Sequence, residues 1–332
     1  MKTLMISLDK KILDSSSASA KRMIGYGRDE RLVIIVPASV HGHIALSQNV
    51  TVYSSGGFSR FGQYWQAYKT ALNLMKKESF DRITTQDPFF AGLIGARIKA
   101  KQKIFLQVQC HGDFFGSVYY RRGSIANRLR YLLARAYVLR QADQFRVVSE
   151  RIHQSLLGLG IKEEKIKVRP IAVNTELIKT YVPHFDLHAR YPGYEKIFLV
   201  LGRLDPVKNL PWLVATFAQV VEKHPSYLLV IVGSGKDRKN IEKRIKKYKL
   251  AHAVRLEEWS RHPIAYIKTA DALLFPSISE GYGLVVVEAV AAGTPVVMND
   301  VGVANYEVKP GDRIDIIPIN NRDKWLKAIE RI

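Results

Sequence analysis

Short apolar runs alternate with longer amphipathic ones along most of the chain. Thr3–Ser7, Leu32–Val36, Val50–Tyr53, Arg82–Thr85 and Lys103–Val108 each read as a short, largely buried strand. Between them, Phe58–Lys77 carries Phe61, Trp65, Tyr68, Leu72 and Met75 at helical spacing, which predicts a helix with that stripe in the core. Asp87-Pro88 opens another helix reaching about Ala100, with proline in its first turn. The pattern then repeats. A strand ends at Leu201, a helix starts near Leu210, and apolar strands follow at Leu228–Val232, Leu273–Phe275 and Thr294–Met298. Strand–helix alternation predicts doubly wound parallel sheets. Tyr181–Glu195 breaks the series with Pro183, Pro192 and Gly193. It is read as a linker over 181–195, between a first domain 1–180 and a second 196–332.

Composition narrows the class. The chain has 332 residues, enough for two sizeable cores. No apolar run approaches the roughly 20 residues of a membrane span. The first strand begins at once, with Asp9 ending its apolar core, so no signal peptide is expected. The single cysteine, Cys110, excludes an internal disulfide and reads as a small buried strand residue in a reducing compartment. Net charge is +21, and it is uneven: residues 1–180 hold 29 Lys and Arg against 13 Asp and Glu, a net +16. Such a field points to an anionic partner, either a membrane surface, an acidic lipid-linked substrate or nucleic acid.

The chemistry concentrates in FPSISEGYGLVVVEAVAAGTPVVMN, residues 275–299. It predicts strand, loop, helix and strand, with Gly293 closing the helix. A helix starting at Leu284, just after Gly281-Tyr282-Gly283, offers backbone N–H groups and a positive dipole end to an anion. Glu280 lies at the helix mouth and Glu288 about two turns inward, so both can address one elongated ligand. An acid beside a phosphate site repels the anion unless it binds hydroxyls. Upstream, Gly202-Arg203 follows a buried strand and Lys208 follows five residues later. Arginine offers a planar fork to phosphate oxygens and lysine a point charge.

These residues resemble the retaining nucleotide-sugar glycosyltransferases of the glycogen-synthase-like, GT-B type, family four. The resemblance runs from roughly residue 100 to 310 and is strongest from 196 to 300. It implies two Rossmann-like domains facing across a cleft, and transfer of a hexose from a nucleotide diphosphate sugar to an acceptor hydroxyl with retention. Arg203, Lys208 and the helix start after Gly283 would stabilise the leaving diphosphate. Glu288 would take the ribose hydroxyls, Glu280 the sugar hydroxyls near the anomeric carbon. His111, in the context C-H-G-D after a predicted strand, would contact the sugar. Gly233 and Gly235 turn the next strand into its helix near the nucleotide. No carboxylate-rich metal motif is visible, and no metal or other cofactor is required. The donor base stays open between UDP and GDP, because Glu257 stands where a glycine is common near the base.

The first domain departs from the family in one place: Ser15-Ser16-Ser17-Ala18 replaces the usual glycine pair. Lys21 and Arg22, next to it, are candidates to meet an anion. Phe114–Arg146 holds seven arginines, no lysine and one acid, Asp143, with Ile125, Leu129, Leu132, Leu133, Ala136 and Leu139 at helical spacing. Exposed Tyr119 and Tyr120 with Arg121, Arg122 and Arg128 suit an anionic membrane surface. A core helix with a solvated basic back is the alternative. The whole reads as a mannosyltransferase-like, metal-independent hexosyltransferase of lipid-linked glycan or cell-surface polysaccharide synthesis. It is expected in the cytoplasm, peripheral on the inner face of the membrane. The chain stops soon after a helix beginning at Asp323, so a crossover helix back onto the first domain is expected to be short or absent. Two other functions fit the same composition. One is a basic nucleic-acid-binding protein, suggested by a pI near 9.9, though no recognition module supports it. The other is an inactive scaffold of the same fold, which intact Glu280, Glu288, Arg203 and Lys208 argue against.

Overall fold

A computed structural model describes residues 1–122 and 124–332; Gly123 and the side chain of Arg122 lie outside the described residues. The chain forms two compact units, and most of the second begins at Pro170. In the first, β1 (Lys2–Ile6), β2 (Arg31–Val36), β3 (His41–Ser47), β4 (Val50–Ser55), β5 (Arg82–Thr85), β6 (Phe105–Cys110), β7 (Gln144–Val147) and β8 (Ile166–Val168) make one sheet. Its order is β3-β4-β2-β1-β5-β6-β7-β8. All neighbours pair in parallel except β3 with β4. Strands buried on both faces read as continuous apolar runs, which is why LVIIV in β2 was legible. The edge strand β3 was not expected. It carries HGHIALS, with alternate residues exposed, and its antiparallel pairing to β4 defines it.

The helix α1 (Ala18–Tyr26) begins directly after the serine run, where the Ser17 hydroxyl accepts from the Ala20 N–H at 3.0 Å and caps it. The helix α2 (Arg60–Lys77) corrects the expected stripe. Its buried positions are Gln63, Ala67, Ala71 and Leu74, while Phe61 and Trp65 face solvent. Small Ala67 and Ala71 seat α2 closely; the larger rings turn outward, and Tyr64 stacks on Phe90 with centroids 4.7 Å apart. Phe90 opens α3 (Phe90–Gln102). The basic segment forms α4 (Val118–Arg122) and α5 (Ile125–Leu133), and α5 runs into a π-turn over Ala134–Val138.

In the second unit β9 (Lys196–Leu201), β10 (Tyr227–Val232), β11 (Val254–Glu257), β12 (Ala272–Phe275), β13 (Val296–Asn299) and β14 (Ile314–Ile317) form a wholly parallel sheet, in the order β11-β10-β9-β12-β13-β14. The segment 181–195, whose turn composition suggested a linker, packs on this unit. Lys268 Nζ donates to the Tyr181 carbonyl at 2.8 Å, and His188 Nε2 lies 2.9 Å from Asp271 Oδ2. The boundary between units therefore falls near Arg169/Pro170, upstream of 181–195.

The core of this unit is built on Phe198, Phe217, Leu229, Ile231 and Trp325. Each fully buried large side chain of this kind contributes roughly 1.5–3 kcal/mol. Trp325, on the last helix Arg322–Glu330, is fully buried, and its Nε1 donates to Asn299 Oδ1 at 2.9 Å. Trp325→Ala should lower the stability of this unit by about 3–5 kcal/mol, the usual cost of a truncated core aromatic. Urea unfolding followed by far-UV circular dichroism checks it; a loss below about 1 kcal/mol would mean that the last helix is not part of the core.

Candidate functional site

Ligands of open α/β sheets gather where strands end and helices begin. In the second unit β10, β9 and β12 are neighbours, so the loops after Val232, Leu201 and Phe275 lie side by side. Backbone contacts hold them tightly. The Leu204 N–H donates to Ser234 O at 2.9 Å, and the Asp237 N–H donates to Leu204 O at 2.9 Å. A Cβ on Gly233 would fall 1.8 Å from Gly202 O, and one on Gly235 would fall 2.4 Å from Leu204 O. Only glycine fits at either place, and Gly233 also has φ +152°. Gly202 takes φ +147° with open space around it.

This frame carries the two expected cations. Lys208 Nζ lies 2.5 Å from Glu280 Oε1, with both side chains mostly buried, and 5.0 Å from the centre of the Phe275 ring. Arg203 points outward, 75% exposed, with Nη1 2.8 Å from Asp205 Oδ2. Between the Gly202–Lys208 and Phe275–Ser277 segments the space is nearly filled, about 10 Å³. The loop bearing Glu280 is fixed from behind: the Val303 N–H donates to Tyr282 O at 2.8 Å, and a Cβ on Gly302 would fall 2.2 Å from that oxygen. Tyr282 itself is buried, so the loop presents its backbone.

The helix Leu284–Ala292 starts at Gly283, which has φ +102°, and no side chain caps it. Its first turn keeps the positive dipole end open, with Leu284 partly exposed. Glu288, inside this helix, is half-buried, and burial alone raises its pKa. Thus of the two acids expected to share a ligand, Glu280 is ion-paired, and among the described residues none forms an ion pair with Glu288. Among the described residues, no group of three or more His, Cys, Asp and Glu side chains is arranged to hold a metal ion.

In the first unit His111 directly follows β6. Its Nε2 lies 2.9 Å from Gln109 Oε1; Gln109 Nε2 donates to Thr84 Oγ1 at 2.9 Å, and Thr84 Oγ1 donates to Gln107 Oε1 at 3.1 Å. With the Gln109 amide held this way, His111 carries its proton on Nε2 and leaves Nδ1 as an acceptor. Crowding around the ring, then the positive charges of Arg146 and Arg22, lowers its pKa to about 4, although part of the ring still faces solvent. Gln107 and Gln109, which hold His111 through this chain of hydrogen bonds, were not singled out from the sequence. Their signal was two amides at alternate positions of an otherwise apolar strand.

Lys21 and Arg22 are exposed on α1, and Arg22 acts on His111. Tyr119 and Tyr120, expected to be exposed, are half-buried: Tyr120 packs against Phe114 and Phe89, with centroids 5.1 and 5.9 Å apart. Arg121 and Arg128 are exposed, while the side chain of Arg122 lies outside the described residues. The alternative of a core helix fails for α5, since Ile125, Leu129, Leu132 and Leu133 are 77%, 55%, 55% and 53% exposed. Among the described residues no helix is long and apolar enough to cross a membrane.

Two family models divide the chain between them. The model described as glycosyl transferases group 1 matches residues 189–332, and that of glycosyltransferase family 4 matches residues 17–177. The chain belongs to the group 1, glycogen-synthase-like glycosyltransferases. It is 27% identical over 246 residues to the alpha-monoglucosyldiacylglycerol synthase of Streptococcus pneumoniae, covering 70% of this chain and 55% of that protein. It is 25% identical over 274 residues to the UDP-Gal:alpha-D-GlcNAc-diphosphoundecaprenol alpha-1,3-galactosyltransferase of Escherichia coli, covering 78% of this chain and 68% of that one. The chain thus spans little more than half to two thirds of these relatives. Among solved structures, sucrose-phosphate synthase from Thermosynechococcus elongatus superposes with a TM-score of 0.80 at 21% identity, over 100% of this chain and 90% of that one. This likeness shows the GT-B class of two parallel-sheet units.

The depressed pKa of His111 sets a pH dependence. Between about pH 4 and 6.5 the unfolded chain binds a proton at this position that the folded chain does not, so stability falls as pH falls through that window. His111→Gln removes the group from both states. Its melting temperature should therefore drop less than that of the parent between those pH values, as read by thermal denaturation; parallel curves for the two proteins would disprove it.

Proposed function

We propose that this chain transfers a hexose from a UDP- or GDP-linked sugar to a hydroxyl acceptor, with retention and without a metal ion. The observation that carries the reading is the meeting of Arg203, Lys208, Glu280 and an uncapped helix start on neighbouring loops at one sheet edge. A leaving nucleoside diphosphate needs its developing charge neutralised, and preorganised cations in a dry site do this effectively. In the proposed reaction Lys208 exchanges Glu280 for a phosphate oxygen, and Arg203 swings in from solvent to the other phosphate. Glu280, released, holds sugar hydroxyls near the anomeric carbon. Glu288 accepts the ribose hydroxyls, which restores to its carboxylate the polar partners that burial removed. Backbone amides around Gly281, Gly283 and Leu284 complete the anion site.

The relatives' printed names support both halves of the transfer: one names a UDP-galactose donor and a diphosphoundecaprenol-linked acceptor, the other a diacylglycerol product. A lipid-linked acceptor fits the surface of α5. Four exposed apolar side chains flanked by Arg128 and Arg135 form an interfacial helix, in which each basic residue adds about 1 kcal/mol at an anionic leaflet. The proposal places the protein peripherally on the cytoplasmic leaflet, in lipid-linked glycan or polysaccharide synthesis.

Two measurements test this. A thermal-shift screen against UDP-glucose, UDP-galactose, UDP-N-acetylglucosamine and GDP-mannose, without metal, should show stabilisation by one donor. At 100 times the dissociation constant it should reach about 2.7 kcal/mol and be lost in Arg203→Ala and Glu288→Ala. No shift with any donor, with or without magnesium, would sink the reading. For the membrane, co-sedimentation with phosphatidylglycerol vesicles should fall about tenfold in a Leu129→Glu, Leu133→Glu double variant and fade with rising salt. Equal binding of parent and variant would remove α5 from the interface.

A further inference from the structure

One buried amide links the last helix of the second unit to the loop that carries Glu280. Trp325 stands in the helix Arg322–Glu330, Asn299 closes β13, and Pro276 and Ser277 follow β12. β12 and β13 are neighbours, so their ends lie together, and Asn299 and Trp325 are both fully buried. Asn299 Oδ1 accepts from Trp325 Nε1 at 2.9 Å. Its Nδ2 donates to the Pro276 carbonyl at 2.7 Å and to the Ser277 carbonyl at 3.1 Å. The partners dictate which way this amide faces. An indole N–H only donates and a backbone carbonyl only accepts, so the oxygen must face Trp325 and the nitrogen the two carbonyls.

Among the described residues the buried Ser277 hydroxyl has no hydrogen-bond partner, so Ser277 is held through its backbone. The next residue is tied as well: the Ile278 N–H donates to Val207 O at 2.9 Å, on the loop that bears Lys208. Three consecutive residues before Ser279-Glu280 are thus pinned by backbone groups, the first two by Asn299. The rest of the site is held by other means. Gly233 and Gly235 let the Gly202–Lys208 segment lie on its neighbour, and Val303 and Gly302 back the turn at Tyr282. The last helix braces the lysine side too. Asn209 Nδ2, directly after Lys208, donates to Asn320 Oδ1 at 3.0 Å, and the Trp212 ring stands edge-on to Trp325 with centroids 5.7 Å apart. Fixed supports of this kind are what keep a first set of functional groups in register.

We propose that Asn299, oriented by Trp325, is a positioning residue: its amide sets the backbone at Pro276 and Ser277 and thereby the place of the Glu280 carboxylate beside Lys208. The consequence for the donor rests on the transfer reading above and divides it. Asn299 governs recognition of the sugar hydroxyls through Glu280, while the diphosphate is held by groups that Asn299 does not support.

Two variants of the full chain test it. Asn299→Leu fills the space without the amide, and Asn299→Asp, as a carboxylate, keeps the acceptor for Trp325 but withdraws the donor from both carbonyls. Trp325→Phe, which keeps a ring in the core and removes the N–H that orients the amide, serves where these do not fold. Hydrogen exchange read by NMR reports on the backbone. The Ile278 N–H should exchange about tenfold faster in the variants, while the Val303 N–H and the amides of β10 stay within about twofold of the parent. Isothermal titration reports on the site. Affinity for the sugar nucleotide picked out by the thermal-shift screen should fall about tenfold, and affinity for its free nucleoside diphosphate should stay within about twofold. A merely structural role would speed exchange throughout the sheet and weaken both ligands alike. That result, or an Ile278 exchange rate equal to the parent's, would overturn the proposal. The two readings fail separately. Selective exchange at Ile278 in a chain that binds no donor removes the transfer reading and leaves the positioning tie. Donor binding by the parent with exchange and affinities unchanged in the variants removes the role of Asn299 alone.

Discussion

Two carbonyl oxygens, of Gly202 and Leu204, occupy the places where side chains of Gly233 and Gly235 would begin. That exclusion of volume governs the second unit's chemistry. It lets the loop after β9 lie directly on the loop after β10, so the backbone from Gly202 to Lys208 is set by neighbours that cannot yield. Lys208 then reaches Glu280 because the loop after β12 is itself wedged by Gly302 behind Tyr282. A backbone fixed beforehand is what the proposed diphosphate site needs, and in the proposed reaction Lys208 would exchange Glu280 for a phosphate oxygen.

The first unit handles polarity differently. Its sheet buries a chain of amides and hydroxyls from Gln107 through Thr84 to Gln109, ending at His111. Buried polar groups are tolerated when each finds a partner, and such chains fix tautomers as well as positions. Here the chain holds a neutral imidazole amid positive charge, where a protonated ring would be repelled by Arg22 and Arg146. The two units thus differ in chemistry: the second offers cations and an uncapped helix start at its sheet edge, and the first a chain of neutral hydrogen-bonding groups.

Much of this was legible from the sequence, for reasons that differ by element. Buried parallel strands such as β2 and β10 announce themselves as apolar runs, and the loop from Pro276 to Gly283 by its turn residues. Arg203, Lys208, Glu280 and Glu288 were named from their motifs and from the family that these motifs resemble, and the structure brings Arg203, Lys208 and Glu280 onto adjoining loops. What sequence pattern misjudged was which side of a helix faces inward. In α2 the alanines are buried and the rings are not, because close packing against a sheet favours small residues over hydrophobic ones. In α5 a stripe that fits a core faces outward. The tie from Trp325 through Asn299 to the Ser277 carbonyl was invisible because its members lie far apart in the chain, and only the fold makes them neighbours. The unit boundary moved upstream because 181–195, although rich in turn residues, is tied down by Lys268 and Asp271.

Surface positions ordinarily drift freely, since water accepts almost any side chain. Ile125, Leu129, Leu132 and Leu133 are surface positions by exposure, yet an interfacial role would bind them to apolar residues as strictly as a core does. Burial and constraint then part company on α5. Among sequences that share this helix, the outward positions would vary within Ile, Leu, Val, Met and Phe. The arginines beside them would exchange with lysine, and Tyr131 beneath would be limited by shape rather than by polarity. A helix of that kind keeps an evolutionary record of a solvent other than water.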